Sequence, residues 1–202
     1  MVDPAAEPSD EALAARAAAG DEGAFEALVD RYEGRVYRLA CRLIGNHTDA
    51  FDVLQETFLQ VYRHLASFRG EARFGTWLYR IATNASLMFL RTRMRQPAES
   101  LDAYWPQFDQ DGSHRRTPAE LQVAARADEL LDRQLLAEKA RAAITRLEEP
   151  YRLAFVLRDL EEMPTAEVAE VLGIEPAAVR QRVHRARLML REYLSELVGV
   201  GA

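Results

Sequence analysis

Five arginines, Arg180, Arg182, Arg185, Arg187 and Arg191, lie close together near the end of this chain, and no Asp or Glu interrupts them between Pro176 and Arg191. A helix carrying charge of one sign suits a groove lined with phosphates. At helical spacing Val179, Val183 and Leu190 turn to one side, while Arg180, His184, Arg187 and Arg191 fall on the other, with Gln181 and Arg185 beside them. A merely solvated helix usually mixes signs, so contact with DNA is the better reading. His184 has no second histidine at ligand spacing and reads as a surface or phosphate contact rather than a metal ligand.

A second constellation interleaves aromatics with cations: Phe68-Arg-Gly-Glu-Ala-Arg-Phe-Gly-Thr-Trp-Leu-Tyr-Arg-Ile-Ala-Thr-Asn84. Arg80, Asn84 and Arg91 recur along one helical face, opposite an apolar stripe. Aromatic faces and arginine hold unstacked bases well, so a loop with Phe68 and Gly70 beside this helix suits single-stranded DNA. Phe74, and for the most part Trp77, read as core. A third group, Asp52, Gln55 and Glu56, shares the face of its helix away from Leu54 and Phe58. Such a cluster is either plain solvated surface or a docking face for a basic partner.

The elements that must position these groups all have helical spacing. Val168, Ala169, Leu172 and Ile174 predict a short helix ending at Gly173, and Pro176 opens a second, where a missing backbone N–H costs nothing in the first turn. Together they form a helix-turn-helix. Upstream, Glu149-Pro150 begins a helix through Leu153, Val156, Leu157 and Leu160, and apolar spacing also runs from about Leu121 through Leu130, Leu131, Leu135, Ile144 and Leu147. In the other half three stripes stand out. Phe25, Leu28, Val29, Tyr32, Val36, Leu39, Ala40 and Leu43 follow Gly20-Asp21; Leu54, Phe58, Val61 and Leu65 follow Asn46 to Asp49; and Phe74, Trp77, Leu78, Ile81, Ala85 and Phe89 complete the set. Between the halves Pro97, Pro106, Asp109, Asp111, Gly112, Ser113 and Pro118 are linker chemistry, with Trp105 and Phe108 expected to dock on a neighbouring domain. The expectation is an all-α protein: a helical domain over 1–95, a flexible linker over 96–120, and a helical domain over 121–202 that closes in the helix-turn-helix.

Composition narrows the function. The 202 residues carry a formal charge of −6, too acidic to coat DNA unaided. The charge is uneven: nine acids face Arg16 and Arg31 up to Glu33, whereas Arg69 to Arg95 holds six arginines against Glu71 alone. That distribution favours a DNA reader needing help to reach its site. Twenty-five of the 26 basic residues are Arg and only Lys139 is Lys, which with the abundant Ala reflects genomic base composition before function. Cys41 is the single cysteine, so no intramolecular disulfide or thiolate metal site can form, and its apolar neighbours predict a buried, inert thiol. The acidic start is unlike a secretory signal and no apolar run approaches a membrane span, so a cytoplasmic location is expected. No carboxylate pair with an apolar pocket, no glycine-rich phosphate loop and no metal-ligand cluster supports an enzyme or a cofactor.

Asp49-Ala-Phe-Asp-Val-Leu-Gln-Glu-Thr-Phe, then Phe68-Arg-Gly, then Phe74-Gly-Thr-Trp-Leu-Tyr-Arg-Ile-Ala-Thr-Asn84, closely resembles bacterial sigma factors of the extracytoplasmic-function (ECF) group. So do Arg158-Asp-Leu-Glu161 and Glu167-Val-Ala-Glu-Val-Leu-Gly-Ile with Val183-His-Arg-Ala-Arg187. The resemblance implies a two-domain initiation factor with no catalysis of its own. It implies that Asp49, Asp52, Gln55 and Glu56 bind core RNA polymerase, on the clamp-helices coiled coil of its largest subunit. Phe68, Arg69, Arg73, Thr76, Arg80 and Asn84 would recognise and open the promoter −10 element, while Arg180, Gln181, Arg182, His184, Arg185 and Arg187 would read the −35 element in the major groove. The linker, with Asp102, Asp109 and Asp111, would thread the polymerase toward the RNA path. An anti-sigma factor is a common partner in the family.

Three departures stand out. Phe51 occupies a place where an acid is common, Glu175-Pro176-Ala177-Ala178 replaces a turn that often carries Ser or Thr, and Asn84-Ala-Ser-Leu-Met-Phe-Leu lacks the Asp or Asn often found after this asparagine. The competing reading is a stand-alone helix-turn-helix regulator whose N-terminal domain senses a ligand or dimerises. It leaves Phe68 to Asn84 and the linker without a role.

Overall fold

A computed structural model describes residues 8–95 and 135–198, and among these every element is helical. The expected linker, with Asp102, Trp105, Phe108, Asp109 and Asp111, and the stretch from Leu121 through Leu131 lie outside the described residues. No described helix is long and apolar enough to cross a membrane.

The N-terminal half is built from helices whose starts are written in their caps. Ser9 accepts from the Ala12 N–H to open α1, Asp10–Ala18, and Asp21 does the same for the Ala24 N–H at the start of α2, Glu22–Ile44. Asp21 also takes a two-pronged bond from Arg16, at 2.9 and 2.7 Å, which holds its carboxyl below the usual range and ties α1 to α2. Gly45 ends α2 in the left-handed region at φ 81°, where a side chain would be strained, and Asn46 caps α3, His47–His64. A short 3₁₀ turn, Leu65–Ser67, and a loop lead into α4, Phe74–Arg95. Leu28, Val36, Leu39, Leu43, Val61, Phe74 and Leu78 form the centre of the packing, much as their spacing predicts.

In the C-terminal half residues 135–146 form α5, and α6 spans Glu149–Phe155 with Pro150 in its first turn. Its last turn then widens to a π-helix over Val156–Leu160, where the Glu161 N–H reaches back five residues to the Val156 carbonyl at 2.9 Å. The helix α7, Thr165–Leu172, stops at Gly173 (φ 63°), with the Ile174 N–H donating to the Ala169 carbonyl and the Gly173 N–H to that of Glu170. That pair of bonds is a Schellman motif, and it delivers the chain to α8, Pro176–Val198.

The two halves pack together. One continuous apolar cluster joins Leu28, Phe74 and Leu78 to Leu153, Leu157, Met163, Val168 and Val179. One expectation needs correcting. Cys41 is only partly buried, at the edge of the cluster of Ala40, Ala50, Val53 and Ala85, with its sulfur 3.4 Å from His47 Nδ1 at the start of α3.

Candidate nucleic-acid interface

On the N-terminal half, Phe68, Phe74 and Trp77 form an aromatic triad with ring centroids 5.1–5.8 Å apart. Phe74 is fully buried, while Phe68 and Trp77 lean on it with part of their rings exposed. Beside them opens a cavity of about 140 Å³ lined in part by Phe68, Arg69, Glu71, Trp77 and Arg80. Arg69 and Arg80 are exposed, and Asn84 is exposed one turn further along α4. Planar apolar walls with cations nearby are what a base drawn out of its stack requires. Gly70, at φ 71°, turns the loop that carries Phe68 and Arg69.

The remaining two of the predicted −10 residues sit differently. Thr76 is only 3% exposed, and its hydroxyl donates to Glu167 on α7 at 3.0 Å. Arg73 is well exposed, yet its guanidinium lies 3.4 Å from the other oxygen of the same carboxylate. Glu170, one turn along α7, helps line the aromatic cavity itself. Close by, Glu161 is buried between the halves, its carboxylate accepting from Arg42 on α2 and, at 3.0 Å, from the Tyr79 hydroxyl on α4. Burial first, and then that carboxylate, push the Tyr79 hydroxyl far above its ordinary value. Sequence reasoning missed these glutamates as interface residues. The i, i+3 spacing of Glu167 and Glu170 marks an acidic face on α7, but no local pattern says which cations meet it.

The helix α8 presents a plainer surface. Arg180, Gln181, His184 and Arg185 are exposed along one side, Arg182 is half-covered, and Val179, Val183, Ala186 and Leu190 face inward. Arg187 departs from its neighbours: its Nε and Nη2 bond both oxygens of Asp159 at 2.7 and 2.8 Å. Its guanidinium is held by the domain, and the bond to the carboxylate raises its proton affinity further.

The third predicted surface also divides. Asp52, Gln55 and Glu56 are exposed on α3, whereas Asp49 is half-buried and paired with Arg93 of α4. Among the acids and amides stand exposed Phe51, Leu59 and Tyr62, an apolar run on the same helix. This face of α3 therefore mixes exposed apolar side chains with carboxylates and an amide. Among the described residues no His, Cys, Asp and Glu group could hold a metal ion.

The chain matches the family models described as Sigma-70 region 2, over residues 28–96, and Sigma-70, region 4, over residues 137–190. It is 38% identical over 195 residues to the ECF RNA polymerase sigma factor SigE of Mycolicibacterium smegmatis, covering 94% of this chain and 71% of that one. With SigW of Bacillus subtilis it shares 33% over 187 residues, 88% of this chain and 92% of that protein. Among solved structures it is similar to CnrH in complex with the cytosolic domain of CnrY, at 28% identity and a TM-score of 0.64, covering 94% of this chain and 99% of the other.

Proposed function

This chain belongs to the ECF sigma factors of bacterial RNA polymerase, and we propose that its two cationic faces divide promoter recognition between them. As a sigma factor it directs core RNA polymerase to promoters, and it is not a stand-alone regulator. In the proposed division, the domain over 1–95 binds core polymerase through Asp52, Gln55 and Glu56 and takes the −10 element through Phe68, Arg69, Arg73, Thr76, Arg80 and Asn84. The domain over 121–202 takes the −35 element through Arg180, Gln181, Arg182, His184 and Arg185, with residues 96–120 as the linker. Arg187 keeps a supporting place, anchoring the recognition helix to Asp159.

The observation that carries this reading is the aromatic cavity at Phe68 and Trp77, with Arg69 and Arg80 in its lining. A stacked duplex offers no base to such a cavity, so occupancy goes with strand opening. The open arginine face of α8 has no comparable recess and suits an intact major groove. Neither face needs a cofactor, no catalytic step is assigned to the chain, and its work beside polymerase places it in the cytoplasm. A protein regulator that clasps it is proposed in turn, since the similar CnrH is bound to the cytosolic domain of CnrY.

The test is start-site mapping. Core polymerase given this protein and genomic DNA is expected to initiate at a discrete set of positions absent with core alone. An unchanged set of starts, or failure to co-purify with core, would contradict the reading.

A further inference from the structure

We infer that Met88 is a specificity residue of the −10 face, selecting thymine at one promoter position through contact with its methyl group. The inference rests on the proposed role of Phe68 to Asn84 in meeting DNA and extends that face along α4. Arg80, Asn84, Met88 and Arg91 are exposed at successive turns of this helix, while Ala82, Ala85 and Ser86 between them are buried. Arg80 lines the aromatic cavity at one end of the strip, and Arg91 at the other is exposed, with a 3.4 Å pairing to Glu149. Among the large apolar side chains described, Met88 is the most open to solvent, at 68%.

A single exposed apolar side chain is ordinary on a protein surface. Register gives this one its meaning: it stands one turn beyond Asn84, between cations suited to the phosphates of the same strand. It also lies in the stretch that departs from the family pattern by lacking Asp or Asn. Those residues read a base edge by hydrogen bonding, Asn with adenine and Asp with cytosine. Methionine cannot, because its thioether has no donor and accepts only weakly, and its flexible chain ends in a methyl group. The apolar group that bases display in the major groove is the thymine C5-methyl. An apolar side chain held there favours thymine over cytosine, whose amino donor it would leave unpaired.

Helix geometry places the contact. At about 1.5 Å of rise per residue, Met88 lies roughly 6 Å beyond Asn84 and roughly 12 Å beyond Arg80. With bases about 3.4 Å apart, its thymine stands about two steps from the base met by Asn84 and at most about four from the one taken by the cavity.

The test lets core polymerase carrying the full-length protein select from a pool of random-sequence duplex DNA, and the retained fragments are sequenced. The unaltered protein is expected to enrich thymine at one −10 position about fourfold more than Met88→Ala or Met88→Asn does, the worth of one buried methyl group. Met88→Leu is expected to keep that preference, and the rest of the motif should be common to all four proteins. On the selected sequence, deoxyuridine in place of that thymine removes the methyl alone. It should weaken binding about fourfold for the unaltered protein and leave Met88→Ala indifferent. Thermal unfolding should be the same throughout, since the side chain is exposed. One motif shared by every variant, or an equal deoxyuridine penalty with Met88→Ala, would overturn the inference. So would a uniform loss of all sequences by Met88→Asn, which would seat the residue on polymerase instead. A pool no different from that retained by core alone would contradict the sigma-factor reading itself, and the role of Met88 with it.

Discussion

The two cationic faces of this protein are made in opposite ways. The face at Phe68 to Asn84 is an aromatic floor continuous with the core, with its cations set around a recess and two of its donors already engaged by Glu167. The face of α8 is a row of exposed side chains on a helix whose core contacts lie on its far side. A surface that must receive a displaced base needs walls, and walls are made from core residues. A surface that reads a groove needs reach, and long exposed arginines supply it. If both faces meet DNA as proposed, substitutions among the core-derived aromatics of the first should disturb stability and DNA contact together, while those in the second should separate them.

Phe74→Ala should break the comparison most severely on the N-terminal side. Phe74 is fully buried, and the transfer and cavity terms for such a truncation come to about 3–5 kcal/mol. Chemical denaturation should show that loss, whereas Arg180→Ala should leave the midpoint nearly unmoved. Asp52→Arg/Glu56→Arg comes next: reversing charge on an exposed docking face should cost several kcal/mol of core affinity, measured by competition for core polymerase, with the fold intact. Equal core affinity would make those carboxylates ordinary surface. Arg180→Ala or Arg185→Ala should each cost about 1–3 kcal/mol in promoter-complex formation on duplex DNA where a base edge is lost. Arg187→Ala is the smallest and the most discriminating among the arginines. It should lower thermal stability by at most about 1 kcal/mol after solvent screening, with Arg187→Lys failing to restore the two-pronged bond to Asp159. A large loss of DNA binding with unchanged stability would instead place Arg187 among the groove contacts.

Much of the fold was legible because its signals are local. Gly173 and Pro176 bracket a turn whatever surrounds them, and the side chains of Asp21 and Asn46 cap helices by accepting from backbone N–H groups two or three residues further on. The aromatic and arginine faces were legible for the same reason, since helical spacing alone sorts Phe74 and Val179 inward from Arg80 and Arg180. What stayed hidden depends on contacts between distant segments. Nothing near Glu161 announces Arg42, 119 positions away, and nothing near Thr76 announces Glu167. Asp49 and Arg187 were grouped with their helical neighbours, but Arg93 and Asp159 claim them. Cys41 was misjudged because its sequence neighbours are apolar while its spatial neighbour is His47, at the start of the next helix.

The division of labour between the faces is tested most directly by promoter-complex formation on two templates, one fully duplex and one already unpaired across the −10 element. Asn84→Ala and Phe68→Ala are expected to be impaired on the duplex and partly restored by the unpaired template, the remaining defect being the lost capture of bases. Arg180→Ala and Arg185→Ala are expected to show the same deficit on both. The opposite pattern, with the arginine variants rescued by unpairing and the Phe68 and Asn84 variants responding only to changes in the upstream duplex, would contradict the account.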